Sequence, residues 1–232
     1  MGAKRLLATC IVAVAGLAGC ASPGPKPPPL PVPPSSSAAP TTPATRPTLT
    51  VPPPAPVCTP AAPPSDGVET LSQVQYDWAV PGITVSKPGG DSRGGLFAIC
   101  TSDHPEENPA YSEIIFYFQG GPPPYDFNYA TQVLTEAKGD PLDLMGNRFL
   151  RIHFSEVPNP GSVTPPANKA VNLHNLLNYG CSGPYEGSLT CGLGIRAGTN
   201  PSIRVAYQVR DTGNPLSSAL YYGILFDVQS VP

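Results

Sequence analysis

Proline sets the first limit on this chain. Of its 232 residues 34 are Pro and 23 are Gly, and more than half of the prolines lie between residues 21 and 65. Each proline removes a backbone donor and holds φ near about −65°, so neither a helix interior nor a central strand survives at such a density. The stretch "PGPKPPPLPVPPSSSAAPTTPATRPTLTVPPPAPV" also has almost no charge and no hydrophobic period. It holds too little apolar surface to offset the entropy of ordering, and it reads as a disordered Pro-rich linker with extended, polyproline-like character. At about 3.1 Å per residue its reach is on the order of 100 Å. The expected folded part is residues 57–232, roughly 175 residues, enough to bury one sizeable core.

The segment before the linker has a different logic. Lys4 and Arg5 precede an apolar run over residues 6–18, the length of a signal-peptide core and short of the roughly 20 residues that a spanning helix needs. The run ends in Leu17-Ala18-Gly19-Cys20, which resembles the lipobox of bacterial lipoproteins, where the cysteine sulfur takes a diacylglycerol before the peptide is cut on its N-terminal side. The expected organisation is a signal peptide over 1–19, a lipidated Cys20 with the Pro-rich spacer over 20–56, and one domain over 57–232. Acyl chains contribute about 0.8 kcal/mol per buried methylene, so two or three of them hold a chain on the extracytoplasmic side of a membrane without any spanning helix.

Charge and cysteine usage narrow the partners. Of the 13 basic residues, Lys4, Arg5, Lys26 and Arg46 precede the domain, which leaves 9 basic against 16 acidic residues and a formal domain charge of −7. An acidic domain without a basic cluster is a poor partner for nucleic acid, which is bound through release of counterions from phosphates. With Cys10 in the signal peptide and Cys20 on lipid, four cysteines remain: Cys58, Cys100, Cys181 and Cys191. In an exported chain an even remainder implies two disulfides, and four cysteines permit three pairings. Cys181 with Cys191 would staple the short excursion "CSGPYEGSLTC", and Cys58 with Cys100 would tie the end of the spacer to a strand. None of these spacings is C-x-x-C and no histidine flanks them, so no metal is expected.

The domain reads as all-β. In "SEIIFYFQGG" Ile114, Phe116 and Phe118 share one face while Ile115 and Tyr117 share the other. In "RFLRIHFSEV" Leu150, Ile152 and Phe154 alternate with Arg151 and His153, so one face of this strand meets water or a ligand. "PSIRVAYQV" and "LYYGILFDV" alternate in the same way. Seven or more such strands, punctuated by Gly, Pro and Asn, imply a β-sandwich or a flattened barrel. One short helix is expected around 169–178, "KAVNLHNLLN".

Signals of catalysis are weak. Three histidines, His104 in the polar loop "TSDHPEEN", His153 on the outer face of a strand and His174 in the short helical piece, limit general-base chemistry at once. Ser182 in "YGCSGPY" fails the G-x-S-x-G elbow, Glu106 and Glu107 sit side by side in a polar loop, and the glycine runs "KPGGDSRGG" and "CGLGIRAG" lack the strand, turn, helix and Lys of a phosphate loop and read as turns. No enzyme activity and no cofactor are expected. Tyrosines near turns and strand ends, Tyr111, Tyr117, Tyr125, Tyr129, Tyr179 and Tyr185, are the better lead, because Tyr beside Arg on a rigid face grips sugars and peptides. The ligand-binding candidates are Arg151, His153, Arg196 and Tyr117.

Four blocks, "SEIIFYFQGGPPPYDFNYA", "GDPLDLMGNRFLRIHF", "LTCGLGIRAG" and "YYGILFDV", together resemble the AMIN-like domain of actinobacterial lipoproteins over roughly 94 to 228. The second block, with Pro141, Leu142, Gly146, Phe149, Leu150 and Arg151, is the most specific. The resemblance implies a β-sandwich related to domains that target cell-wall amidases and secretion components to peptidoglycan, carried by small exported proteins without a catalytic partner. Two positions depart from it: Ser112-Glu113 stand where the family tends to have an Asp-Arg pair, and residues 219–222 lack an Arg that the family's closing strand tends to carry. The function expected is a lipid-anchored, non-catalytic cell-envelope module that binds peptidoglycan or another envelope component. The alternatives are an accessory lipoprotein that binds a protein partner, for which exposed strand edges would serve, and an enzyme of unrecognised type.

Overall fold

The computed structural model describes residues 57–59, 69–90, 95–158, 163–211 and 220–231. The expected signal peptide, lipidated Cys20 and Pro-rich spacer, residues 1–56, lie outside the described residues. Among those described there is no helix, and none long and apolar enough to cross a membrane. In chain order the strands are β1 Val57–Thr59, β2 Glu69–Ala79, β3 Val85–Lys87, β4 Leu96–His104, β5 Tyr111–Gln119, β6 Tyr125–Ala130, β7 Arg148–Phe154, β8 Lys169–Ala170, β9 Leu176–Tyr185, β10 Ser188–Ile195, β11 Ile203–Asp211 and β12 Leu220–Gln229. They form two antiparallel sheets, β1-β4-β5-β12-β11-β2 and β3-β6-β7-β10-β9-β8, the β-sandwich that the alternating segments imply.

The core follows from the period-2 pattern. Ile114, Phe116 and Phe118 of β5, Ile203 and Val205 of β11, and Ile224, Phe226 and Val228 of β12 point inward from the first sheet. Phe127 of β6, Leu150, Ile152 and Phe154 of β7, and Leu189, Cys191, Leu193 and Ile195 of β10 answer them from the second. Aromatic rings lock the layers edge to face, Phe127 with Phe226 at 5.4 Å and 85°, and Phe118 with Phe154 at 5.0 Å and 57°. Each such pair adds about 0.5–1.5 kcal/mol beyond the area that it buries.

Cys58 is bonded to Cys100 and Cys181 to Cys191. Both bridges join directly opposed residues of neighbouring strands. The second staples the β9–β10 hairpin, whose turn residues Glu186 and Gly187 both take positive φ, 49° and 80°, the twist that a two-residue hairpin turn requires.

Three expectations are corrected. No helix forms over 169–178: Lys169–Ala170 is a strand, Asn172 takes a φ of 52°, and the N–H groups of Val171 and Asn172 both donate to Leu177 O. The asparagines that break the helical pattern are used as clamps, Asn175 Nδ2 donating to Gln229 O at 2.6 Å and Asn178 Nδ2 to Asp143 O at 3.0 Å. His104 closes strand β4 instead of sitting in a loop, stacked at 4.5 Å on Tyr111. Gly192 and Gly194 of "CGLGIRAG" are strand residues, not turn residues. They face outward between Cys191, Leu193 and Ile195, and the segment 131–147 crosses directly over them. A Cβ on Gly194 would collide with the Met145 carbonyl and the Asn178 amide, and one on Gly192 would lie 2.6 Å from Leu144 Cδ1.

Candidate functional site

The outward face of the second sheet carries the site. On β7 Phe149, Arg151 and His153 alternate with the core residues Leu150, Ile152 and Phe154. Antiparallel pairing then sets Asn128 opposite Arg151 and Asp126 opposite His153 on β6, with Thr190 of β10 on the other side of His153. Arg151 Nη1 donates to Asp126 Oδ1 at 2.6 Å and to Asn128 Oδ1 at 3.4 Å. His153 Nδ1 lies 3.1 Å from Asp126 Oδ2. A carboxylate only accepts, so this nitrogen carries the proton. Nε2 of the same ring is 3.7 Å from Glu136 Oε1.

Glu136 reaches this face from the crossing segment. Its carboxylate accepts the Thr190 hydroxyl, and its N–H donates to Ser182 Oγ at 3.1 Å. Asp126 on β6 therefore orients the imidazole by a hydrogen bond, the Glu136 carboxylate lies near its other nitrogen, and the guanidinium is fixed beside it. Arg151 and Asp126 keep 30% and 25% of their side-chain surface, so this ion pair contributes little to stability, about 0–1 kcal/mol. What it secures is orientation: the remaining Arg151 donors are presented from a rigid strand.

The other candidates separate from this pair. Arg196 is exposed beyond the end of β10, its N–H donating to Asn175 O at 2.8 Å. Gly192 is the residue opposite Arg151, so Arg196 lies four residues further along, about 13 Å at a rise of about 3.3 Å per residue. Tyr117, expected among the exposed aromatics, is buried at 1%. It does face away from the main core, but there it belongs to a second apolar cluster with Ala98, Cys100, Ile115 and Tyr221. Its hydroxyl donates to Gln208 Oε1 at 3.2 Å and the Arg210 guanidinium lies 5.2 Å over its ring. Tyr125 and Tyr179 are buried as well, Tyr129 packs on the core and donates to Pro201 O, and Tyr185, at 48%, is the most open of the six.

A second polar row, which residue-by-residue reading missed, crosses the outward face of the first sheet. Ser102, Glu113, Asp227 and Arg204 stand opposite one another on β4, β5, β12 and β11. Arg204 Nε donates to Asp227 Oδ2 at 2.7 Å, its guanidinium 4.9 Å from Trp78 and 5.2 Å from Tyr111. Burial raises the pKa of Asp227 to about 7, and the neighbouring Glu113 charge pushes it the same way. Burial also raises Glu113, against the hydrogen bond from Ser102. Asp227 Oδ1 is buried without a hydrogen-bond partner among the described residues.

Ser102, His104 and Glu113 touch, but not as a nucleophile and its base. The Ser102 hydroxyl donates to Glu113 Oε1 at 2.9 Å, so His104 Nε2, 3.0 Å from Ser102 Oγ, is left to donate rather than to accept. A general base must take the serine proton, and here that proton already points at the carboxylate. Among the described residues no three His, Cys, Asp or Glu side chains converge to hold a metal ion.

Two antiparallel sheets with polar groups mounted on their outward strand faces define a β-sandwich. Residues 104–212, from the end of β4 to just beyond β11, match the family model of the AMIN-like domain. It implies a place in the cell envelope, outside the cytoplasm. No curated protein matches the chain, and no solved structure does.

Proposed function

We propose that the chain is a lipid-anchored, non-catalytic module of the cell envelope that binds peptidoglycan through the outward face of its second sheet. The reading rests on one observation above the others: within the AMIN-like match, Arg151 and His153 are both held by Asp126, with Glu136 nearby, on the outward face of a strand whose other face is core. Groups fixed by neighbours and still half-exposed lose little freedom when they meet a ligand. Cys20 supplies the anchor and residues 20–56 the spacer, a length suited to carrying the domain from the membrane into a surrounding wall.

Co-sedimentation of the exported chain with purified peptidoglycan tests this. The wild type enriches in the pellet, and the Arg151→Ala, His153→Ala double variant loses most of that enrichment while keeping its thermal transition. Equal pelleting of both proteins would move the site elsewhere, and no pelleting of the wild type above an inert control would turn the reading towards a protein partner. Mass spectrometry of the mature protein tests the anchor: it finds acyl chains on an N-terminal Cys20, and an unacylated terminus would remove it.

A further inference from the structure

At its Phe149 end the outward row of β7 opens into a cavity of about 540 Å³ lined by Tyr129, Thr131, Asn147, Arg148, Phe149 and Asn200. Small-ligand sites occupy about 300–1,000 Å³. The walls are fixed by hydrogen bonds that do not use the cavity's polar groups up. Tyr129 OH donates to Pro201 O at 2.8 Å, the Ala197 N–H donates to Asn147 Oδ1 at 3.0 Å, and the Arg148 guanidinium donates to the Gly198 and Asn147 carbonyls. These contacts pin the connection between β10 and β11 against the start of β7. The Thr131 hydroxyl, Asn147 Nδ2 and the Asn200 side-chain amide make no hydrogen bond to another described residue.

Phe149 is the second unusual feature. It stands opposite Ala130 on β6 and Gly194 on β10, belongs to neither apolar cluster and stacks on no other ring among the described residues. A half-exposed ring in a cavity, surrounded by unused amide and hydroxyl groups, matches the two-sided chemistry of a pyranose: an apolar face of C–H groups and a rim of hydroxyls.

The geometry points to this cavity as a subsite for an uncharged sugar residue, with Phe149 as its stacking surface and Thr131, Asn147 and Asn200 as hydrogen-bonding partners. The inference rests on the reading that the outward face of the second sheet is the ligand face. An anionic ligand fits less well. Arg148 is the one basic residue of the lining and its guanidinium already donates to two carbonyls, Asp126 neutralises Arg151, and the domain carries a formal charge of −7. A wholly apolar ligand fits less well again, because each polar group that it covered without a partner would cost about 1–3 kcal/mol.

The full exported chain is titrated with chitotriose, with cellotriose and with a synthetic tetrapeptide bearing two carboxylates, by calorimetry and saturation-transfer NMR. At least one saccharide binds, and Phe149→Ala weakens it about tenfold, in keeping with an aromatic contact worth about 1.4 kcal/mol. Asn200→Ala, which leaves the strands intact, weakens it by about threefold or more. Binding of neither saccharide, saccharide affinity unchanged in both variants, or binding of the tetrapeptide instead would overturn the subsite. Peptidoglycan pelleting that persists without any saccharide binding overturns the subsite and leaves the wall-binding reading standing. Phe149-dependent saccharide binding without pelleting does the reverse.

Discussion

Glu113 and Asp227 face each other on β5 and β12, with 9% and 1% of their surface exposed, and two carboxyl groups so placed cannot both ionise cheaply. Burial first, and the Glu113 charge second, raise Asp227 from an ordinary 3.8 to about 7. Between those values the folded chain holds a proton that the unfolded chain has released. The folded state binds more protons throughout that window, so stability falls as pH rises from about 4 to about 7 and is level on either side as far as this group is concerned. The expected drop is on the order of a few kcal/mol. Urea denaturation at a series of pH values checks it: Asp227→Asn removes most of this slope relative to the wild type, and parallel pH profiles for the two proteins would show that the pair is not proton-linked. None of this was legible from the sequence. Ser112-Glu113 stood out only as a departure from the family pattern, because the partners of Glu113 lie on strands remote in the chain.

At the scale of the elements, the strand faces were legible and the crossing segment was not. A single strand reports its own alternation, so "RFLRIHF" alone places Arg151 and His153 outward. "YDFNYA" on β6 carries the same signal for Asp126 and Asn128, and reading its even positions as outward would have found both partners of the site. Gly192 and Gly194 looked like turn residues because glycine weakens a strand. Their reason lies in a segment far away in sequence, 131–147, which needs a flat surface to cross. Gly194→Ala sets a methyl group against the Met145 backbone and the Asn178 side-chain amide, which is buried and hydrogen-bonded to Met145 N, Asp143 O and Asn168, and the expected loss is about 1–3 kcal/mol. Gly198→Ala is the control, since nothing lies within 4 Å of a Cβ there. The displaced segment also carries Glu136 away from His153, so Gly194→Ala weakens ligand binding together with stability whereas Gly198→Ala changes neither. Denaturant midpoints of the two variants, compared with wild type, decide the matter.

For the whole molecule, the two disulfides do different work although both join opposed strand residues. Cys181 and Cys191 are 10 residues apart in a hairpin that its own turn and ladder already close, while Cys58 and Cys100 are 42 apart and hold an edge strand that pairs with β4 at only three positions. In the chain-entropy account the longer loop contributes about 4 kcal/mol and the shorter about 3, and the hairpin's residual pairing in the unfolded chain reduces the shorter one further. The Cys58→Ala, Cys100→Ala variant therefore loses more stability than Cys181→Ala, Cys191→Ala, with a lower urea midpoint and earlier protease cleavage around residues 57–59. The spacer proposed for residues 20–56 would join the domain at Val57. If the chain is tethered through Cys20, any load on the tether enters at β1, and three ladder positions would let go long before a covalent bond does. The Cys58–Cys100 bridge passes that load to β4, which is held on its other side by all of β5. A tethered wall binder needs this link and a freely diffusing module does not, so an equal loss of stability in the two cysteine variants would argue against a mechanical role for the first bridge.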